Sequence, residues 1–257
     1  MSAGDTLVVP RRYCGPATSA NGGWTCGSLA ARLTGGREDG GSVRVRLSAP
    51  PPLDTPMELE RFTTADGAAA LRMRAGETLV AEAQRTDAAP DPVPPQTGDP
   101  GRDFLLAQQA ASRYPGRVEH PFPTCLACGP ARAEGDGLRL EPGPTDPPDG
   151  TTSASWVPHP AFDSGGGRVD LAVTWAALDC PGGWSADMAG RPMVLGTMTA
   201  TVLRRPAVGE RCVVRGIAAP GSGRTVPTRS TLYGTDGEVL GLAAQIWVVV
   251  DPRAFIG

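Results

Sequence analysis

Gly76-Glu77-Thr78-Leu79-Val80-Ala81-Glu82-Ala83-Gln84 and Gly237-Glu238-Val239-Leu240-Gly241-Leu242-Ala243-Ala244-Gln245 are the stretches whose comparison decides the fold. Gly, Glu, Leu, Ala and Gln recur in them at the same spacing. Each follows an alternating run, Ala70-Leu71-Arg72-Met73-Arg74 before the first and Arg229-Ser230-Thr231-Leu232-Tyr233 before the second. A second pair of blocks lies upstream. Val43-Arg44-Val45-Arg46-Leu47 runs into a Pro-rich turn, and Thr199-Ala200-Thr201-Val202-Leu203 runs into Arg204-Arg205-Pro206. Two blocks repeated in the same order argue for a duplicated domain.

Working outward, each copy reads as a helix followed by strands. In the second half the pattern predicts a strand over 151–157, a helix over 168–180, and strands over 194–203, 211–217, 225–233 and 238–250. Hairpin chemistry at 218–223 and 234–237 joins the last three. The first half predicts a helix over 19–33 and strands near 42–48, 57–63, 68–74 and 77–86. A meander without helices between its strands is antiparallel, so the class is α+β. The Pro-rich stretch 88–101 suits an extended connector, and 103–114 has apolar residues at helical spacing. The expected units are therefore 1–88 and 118–257, with a linker and short helix over 89–117.

All 24 basic residues are arginine and the net charge is −3. The absence of lysine reads as the codon bias of a GC-rich genome. This charge gives no electrostatic reason to expect nucleic acid or an anionic membrane as partner. No apolar run reaches the roughly 18 residues a spanning helix needs, and the first twenty residues lack a signal-peptide layout. A cytoplasmic protein is expected, with its six cysteines as reduced thiols.

A long helix against a curved antiparallel sheet is the layout of the hotdog fold, and here a family resemblance enters. Ser19-Ala20-Asn21-Gly22-Gly23-Trp24-Thr25-Cys26-Gly27 resembles the start of the hotdog helix of acyl-CoA thioesterases. Cys125-Leu126-Ala127-Cys128-Gly129-Pro130, Gly135-Asp136-Gly137-Leu138, Trp175-Ala176-Ala177-Leu178-Asp179-Cys180 and 203–210 are similar to the phenylacetate-type hotdog thioesterases. The resemblance covers most of the chain. It implies a tandem double hotdog acting on a small-molecule acyl thioester, carried by coenzyme A or a carrier protein, with coenzyme A present only as part of the substrate. It implies no metal or other cofactor. It also implies active sites built across the interface of two units, and leaves a homodimer of whole chains open.

Asn21, Gly22 and Gly23 are the first candidate site. They open a helix, where free N–H groups and the positive end of the helix dipole can stabilise an oxyanion. Equally, Asn21 can be a simple N-cap and the glycines a close-packing device. Asp179 is the second candidate. In an apolar segment its carboxylate is desolvated, which raises its pKa toward that of a useful base; otherwise it closes the helix before Pro181-Gly182-Gly183. Hotdog thioesterases place an acid about two turns after the glycine pair. Counting eight residues on from Gly22 reaches Ala30, so the first helix has glycines without an acid and the second an acid without glycines. One composite site, Asn21, Gly22 and Gly23 facing Asp179, is expected.

Gly182-Gly183-Trp184 repeats the Gly-Gly-Trp of 22–24 but reads as a helix-terminating turn. Trp24 and Trp175 are candidates for an acyl-pocket wall, with core or interface packing as the alternative for them and for Trp184. Arg204, Arg205 and Arg224 are candidates for coenzyme A phosphates, or solvated strand ends. Cys125-x-x-Cys128 is half of a zinc motif, but His120 and His159 supply no second compact pair, so no metal is expected. The alternatives to hydrolysis are a non-hydrolytic acyl-CoA or acyl-carrier binding protein, and a dehydratase or cyclase acting on a secondary-metabolite intermediate.

Overall fold

The computed structural model describes residues 5–36 and 41–255. The first half contains β1 (Thr6–Leu7), α1 (Gly22–Thr34), β2 (Ser42–Leu47), β3 (Met57–Thr63), β4 (Ala69–Ala75) and β5 (Thr78–Thr86). After a connecting helix, α2 (Pro100–Ala110), come β6 (Gly143–Pro144), β7 (Thr151–Trp156), α3 (Leu171–Trp184), β8 (Met193–Val202), β9 (Cys212–Ala218), β10 (Thr225–Tyr233) and β11 (Val239–Val249).

Among the described residues the strands form one antiparallel sheet of 11, in the order β1-β3-β4-β5-β2-β8-β11-β10-β9-β7-β6. The two halves are mirror images in this order: β3-β4-β5-β2 in the first corresponds to β9-β10-β11-β8 in the second. The repeated blocks seen in the sequence fall on β5 and β11 and on β2 and β8, and the last two, equivalent strands, pair with each other at the centre, Val43 opposite Ala200 and Val45 opposite Met198. Self-pairing of equivalent strands is how two copies share a sheet about a twofold axis. The repeated glycines Gly76 and Gly237 sit in the β4–β5 and β10–β11 turns at φ 56° and 77°, a left-handed conformation that glycine adopts without steric cost.

The two central helices pack against each other as well as on the sheet. Gly23 and Gly27, one turn apart on α1, face α3 so closely that a Cβ on Gly23 would lie 2.9 Å from the Trp175 carbonyl oxygen, and one on Gly27 2.6 Å from Ala172 Cα. Helix α3 is buried along its whole length, as expected for a helix that is apolar all round.

The structure changes one boundary in a way that matters. Helix α3 does not stop at residue 180; it runs through Pro181, Gly182 and Gly183 to Trp184. Proline removes a helix hydrogen bond and glycine weakens a helix, but tertiary contacts hold the neighbouring carbonyls of this turn. The Leu178 carbonyl accepts from Gln245 Nε2 at 2.8 Å and from the Ser230 hydroxyl, and the Pro181 carbonyl accepts from Thr152 Oγ1 at 2.7 Å. Side chains at Gly182 and Gly183 would collide with Thr228 and with Met188 and Trp247. The breakers are there because strands approach the helix closely.

The Pro-rich segment is extended but not loose. Val93 is fully buried, and its N–H donates to Thr231 Oγ1 at 2.8 Å while its carbonyl accepts from Tyr233 Oη at 2.5 Å. Asp99 caps α2 and Pro100 opens it, a favourable pairing because proline's missing N–H is an orphan in the first turn. Among the described residues no helix is long and apolar enough to cross a membrane.

Candidate active site

Helix α1 begins with donors that the helix itself cannot satisfy. The Asn21 side chain accepts from the Trp24 N–H at 2.8 Å, and the Asn21 carbonyl from the Thr25 N–H at 3.0 Å. The Gly23 N–H donates to Asp179 Oδ2 at 2.9 Å. Only the Gly22 N–H is left without an acceptor among the described residues, and Gly22 borders a cavity.

Asp179 arrives from the other half of the chain, in the middle of α3, and is 1% exposed. Its Oδ2 also accepts from Asn21 Nδ2 at 3.4 Å, while Oδ1 has no hydrogen-bond partner. Burial pushes the carboxyl up to about 7, against the Gly23 N–H and Asn21 amide that favour the charged form; the neighbouring Cys125 adds to the rise. An acid with that proton affinity exchanges protons near neutrality.

Asn21, Gly22 and Asp179 border a cavity of about 400 Å³. Its apolar wall includes Phe122, Trp184, Met188, Met193, Trp247 and Phe255. Arg224, exposed, also borders it and donates through Nε and Nη2 to the Val249 carbonyl. A pocket of this size with an apolar wall and a few convergent polar groups is the ordinary form of a small-ligand site.

The structure therefore brings together Asn21, Gly22, Gly23 and Asp179 from opposite halves, all but Gly23 bordering one cavity. It departs from the expected roles in one respect: the Gly23 N–H faces the carboxylate and holds it, leaving Gly22 as the donor open to a ligand. The pseudo-symmetric location lacks the same groups. Buried Ala30 stands where α3 has its acid, and Asp170 caps α3 by accepting from the Ala172 N–H at 2.7 Å.

Other candidates lie elsewhere. Trp175 is locked between the two helices, against Gly27, and Trp24 stacks on Tyr13 with ring centroids 4.4 Å apart; neither borders the cavity. The tryptophans that do are Trp184 and Trp247, the first from the Gly-Gly-Trp read as a turn. Arg204 is held by Glu210, with Nη2 at 2.7 Å from Oε1, and by Glu238, and Arg205 donates to Ser164 Oγ at 3.1 Å. Both lie away from the cavity, so of the three arginines only Arg224 is placed to meet a ligand there. His159 caps a short turn by accepting from the Ala161 N–H at 3.1 Å. Cys180 was missed as a site residue in the sequence, and His120 was weighed beside Cys125 and Cys128 and set aside; both border the cavity with that pair. No spacing rule joins Cys180 to Cys125 and Cys128.

No family model and no curated protein matches the sequence. Solved structures do. The tesB protein of Mycobacterium avium subs paratuberculosis aligns over 96% of this chain and 92% of that one, with TM-score 0.61 and 13% identity. A candidate thioesterase II of Thermobifida fusca aligns over 96% and 93%, with TM-score 0.59 and 15% identity. A protein of unknown function with a hot dog fold from Alicyclobacillus acidocaldarius gives TM-score 0.58 at 16% identity over 96% and 93%. At these identities the likeness is one of fold. The chain is an α+β double hotdog, matching these neighbours along nearly its whole length.

Proposed function

We propose that this chain hydrolyses an acyl thioester, of coenzyme A or of an acyl-carrier protein, at the single composite site between its two hotdog units. The observation that carries the reading is the buried Asp179 carboxyl, held by the N-terminal turn of the opposite unit's helix, with Oδ1 left unpartnered and the residue bordering a cavity. The thioesterase description of the Thermobifida fusca neighbour lends support.

In this account the acyl group lies along the Phe122, Trp184 and Trp247 wall, and the thioester carbonyl oxygen accepts from the Gly22 N–H. Asp179 Oδ1 takes a proton from water as that water attacks the carbonyl carbon. The tetrahedral intermediate places negative charge on the oxygen facing Gly22, where the helix dipole adds to the N–H. Collapse breaks the C–S bond, and the proton held by Asp179 leaves with the thiol, so water and thioester become carboxylic acid and thiol. Gly23 and Asn21 are positioning residues, aiming the carboxylate. Arg224 meets a phosphate of the carrier with the guanidinium nitrogen not bonded to Val249.

A panel of short, aromatic and long acyl-CoA thioesters, with thiol release followed in real time, tests the reaction. Catalytic release with at least one of them is expected. Saturable binding across the panel with no release would replace hydrolysis by the non-hydrolytic binding reading.

A further inference from the structure

Hydrolysis as described makes no use of the sulfur atoms that border the same cavity. Cys125 and Cys128 lie on one tight turn, closed by the Gly129 N–H donating to the Cys125 carbonyl at 2.9 Å. The turn is built around the absence of a side chain at Gly129, whose Cβ would lie 2.5 Å from Cys125 N. Cys180 comes from α3, next to Asp179. The three Sγ atoms lie within 4.8 Å of one another, and those of Cys125 and Cys180 are 3.8 Å apart. All three residues are buried. A tetrahedral zinc ion with bonds of about 2.3 Å separates its sulfur ligands by about 3.8 Å.

The surroundings supply donors suited to thiolates. His120 Nδ1 accepts from the Phe122 N–H at 2.9 Å, so the ring proton sits on Nε2, which is 3.4 Å from Cys128 Sγ. Asn21 Nδ2 is 3.6 Å from Cys125 Sγ. The carbonyl following Cys128 along its own residue is fixed by Tyr114 Oη at 2.9 Å, and the turn is pinned to the first half by the Leu126 N–H donating to the Cys14 carbonyl at 2.7 Å. Hydrogen bonds of this kind orient metal ligands and tune the ion they hold.

We propose that Cys125, Cys128 and Cys180 bind a thiophilic divalent cation of the zinc class, with His120 and Asn21 donating to the sulfurs and the fourth coordination position open to the cavity. Binding exchanges three thiol protons for one cation, leaving a net charge of −1 on the cluster that the two N–H donors offset. The ion ties the Cys125–Cys128 turn to α3 beside the acid. It reverses the expectation of a metal-free chain, and it stands independently of the hydrolytic reading.

The test is metal analysis of the full-length chain purified from zinc-supplemented cells without chelator, together with the absorption spectrum of the chain reloaded with cobalt(II). Stoichiometric zinc and an intense near-ultraviolet thiolate-to-cobalt band are expected in the wild type, with both lost in a folded Cys180→Ser variant. Trace metal with no cobalt band in the folded wild type would overturn the proposal, as would unchanged zinc in Cys180→Ser. If Cys180→Ser does not fold, the wild-type spectrum decides: a thiolate band supports the site, and a spectrum without one removes it. Neither readout depends on turnover.

Discussion

The Gly23 N–H and Asp179 Oδ2 are 2.9 Å apart although 156 residues separate them in the chain. This contact joins the N-terminal turn of one unit's helix to the middle of the other's, and it exists because neither helix has a side chain in the way. The proposed site is thus a property of the duplication. Each unit supplies what the other lacks, and the fold's central interface assembles them.

Gly23→Ala should damage both stability and chemistry. The added Cβ would lie 2.6 Å from Asp179 Cβ and within 3.0 Å of α3 backbone atoms, which cannot move without separating the helices. Overpacking of this kind costs about 1–3 kcal/mol. Gly27→Ala meets the same helix a turn away from the acid, against Ala172 and Trp175. Comparable losses of Tm are expected for the two, with thiol-release activity per folded molecule falling far more for Gly23→Ala.

Gln245→Leu should destabilise the second unit by about 1–3 kcal/mol, read from the denaturant midpoint, because buried groups lose their partners. Its amide donates to the Leu178 carbonyl and Ser230 Oγ, both at 2.8 Å, and accepts from Thr228 Oγ1 at 2.8 Å. An unchanged midpoint would mean that the helix carbonyls around Pro181 are satisfied without it.

Acid should weaken the chain through Asp149. Burial pushes its carboxyl upward, but hydrogen bonds from Thr145 and Thr151 and the Arg215 guanidinium, 3.2 Å away, outweigh this and hold it at about 2. An unfolded aspartate titrates near 3.9, at about the value of a free side chain. The contribution is therefore present above about pH 4 and is lost as pH falls toward 2. With the Asp149 side chain 46% exposed, solvent screening limits it to about 1 kcal/mol. Comparing wild type with Asp149→Asn by chemical denaturation should show a stability gap at pH 6 that closes near pH 2.

Much of this was legible in the sequence because strands and turns are local signals. The 225–233 strand falls where alternation and flanking turns place it, and the repeated Gly76 and Gly237 mark equivalent hairpins. The end of α3 was not legible. Pro181-Gly182-Gly183 is a breaker by local chemistry, and only Thr152, Ser230 and Gln245, from three different strands, reverse that. The same all-round apolarity that marks α3 as buried hides its phase, so Trp175 and Trp184 could not be told apart as core and cavity wall. The pairing of Asn21, Gly22 and Gly23 with Asp179 was readable through the asymmetry between the two halves. That Gly23 faces the acid instead of a ligand depends on a helix crossing that no sequence pattern encodes. Arg204 was lost to the ligand because Glu210 and Glu238, contributed by turns, neutralise it.

The most direct test of the composite site is the thiol-release rate of Asp179→Asn on the best thioester of the panel. The amide keeps the size of the carboxyl and removes its basicity. A folded variant with kcat reduced about 10²–10⁴-fold, the usual contribution of a positioned acid or base, is predicted. Wild-type turnover in that variant would contradict the assignment of the base, and with it the claim that the two halves build one active site.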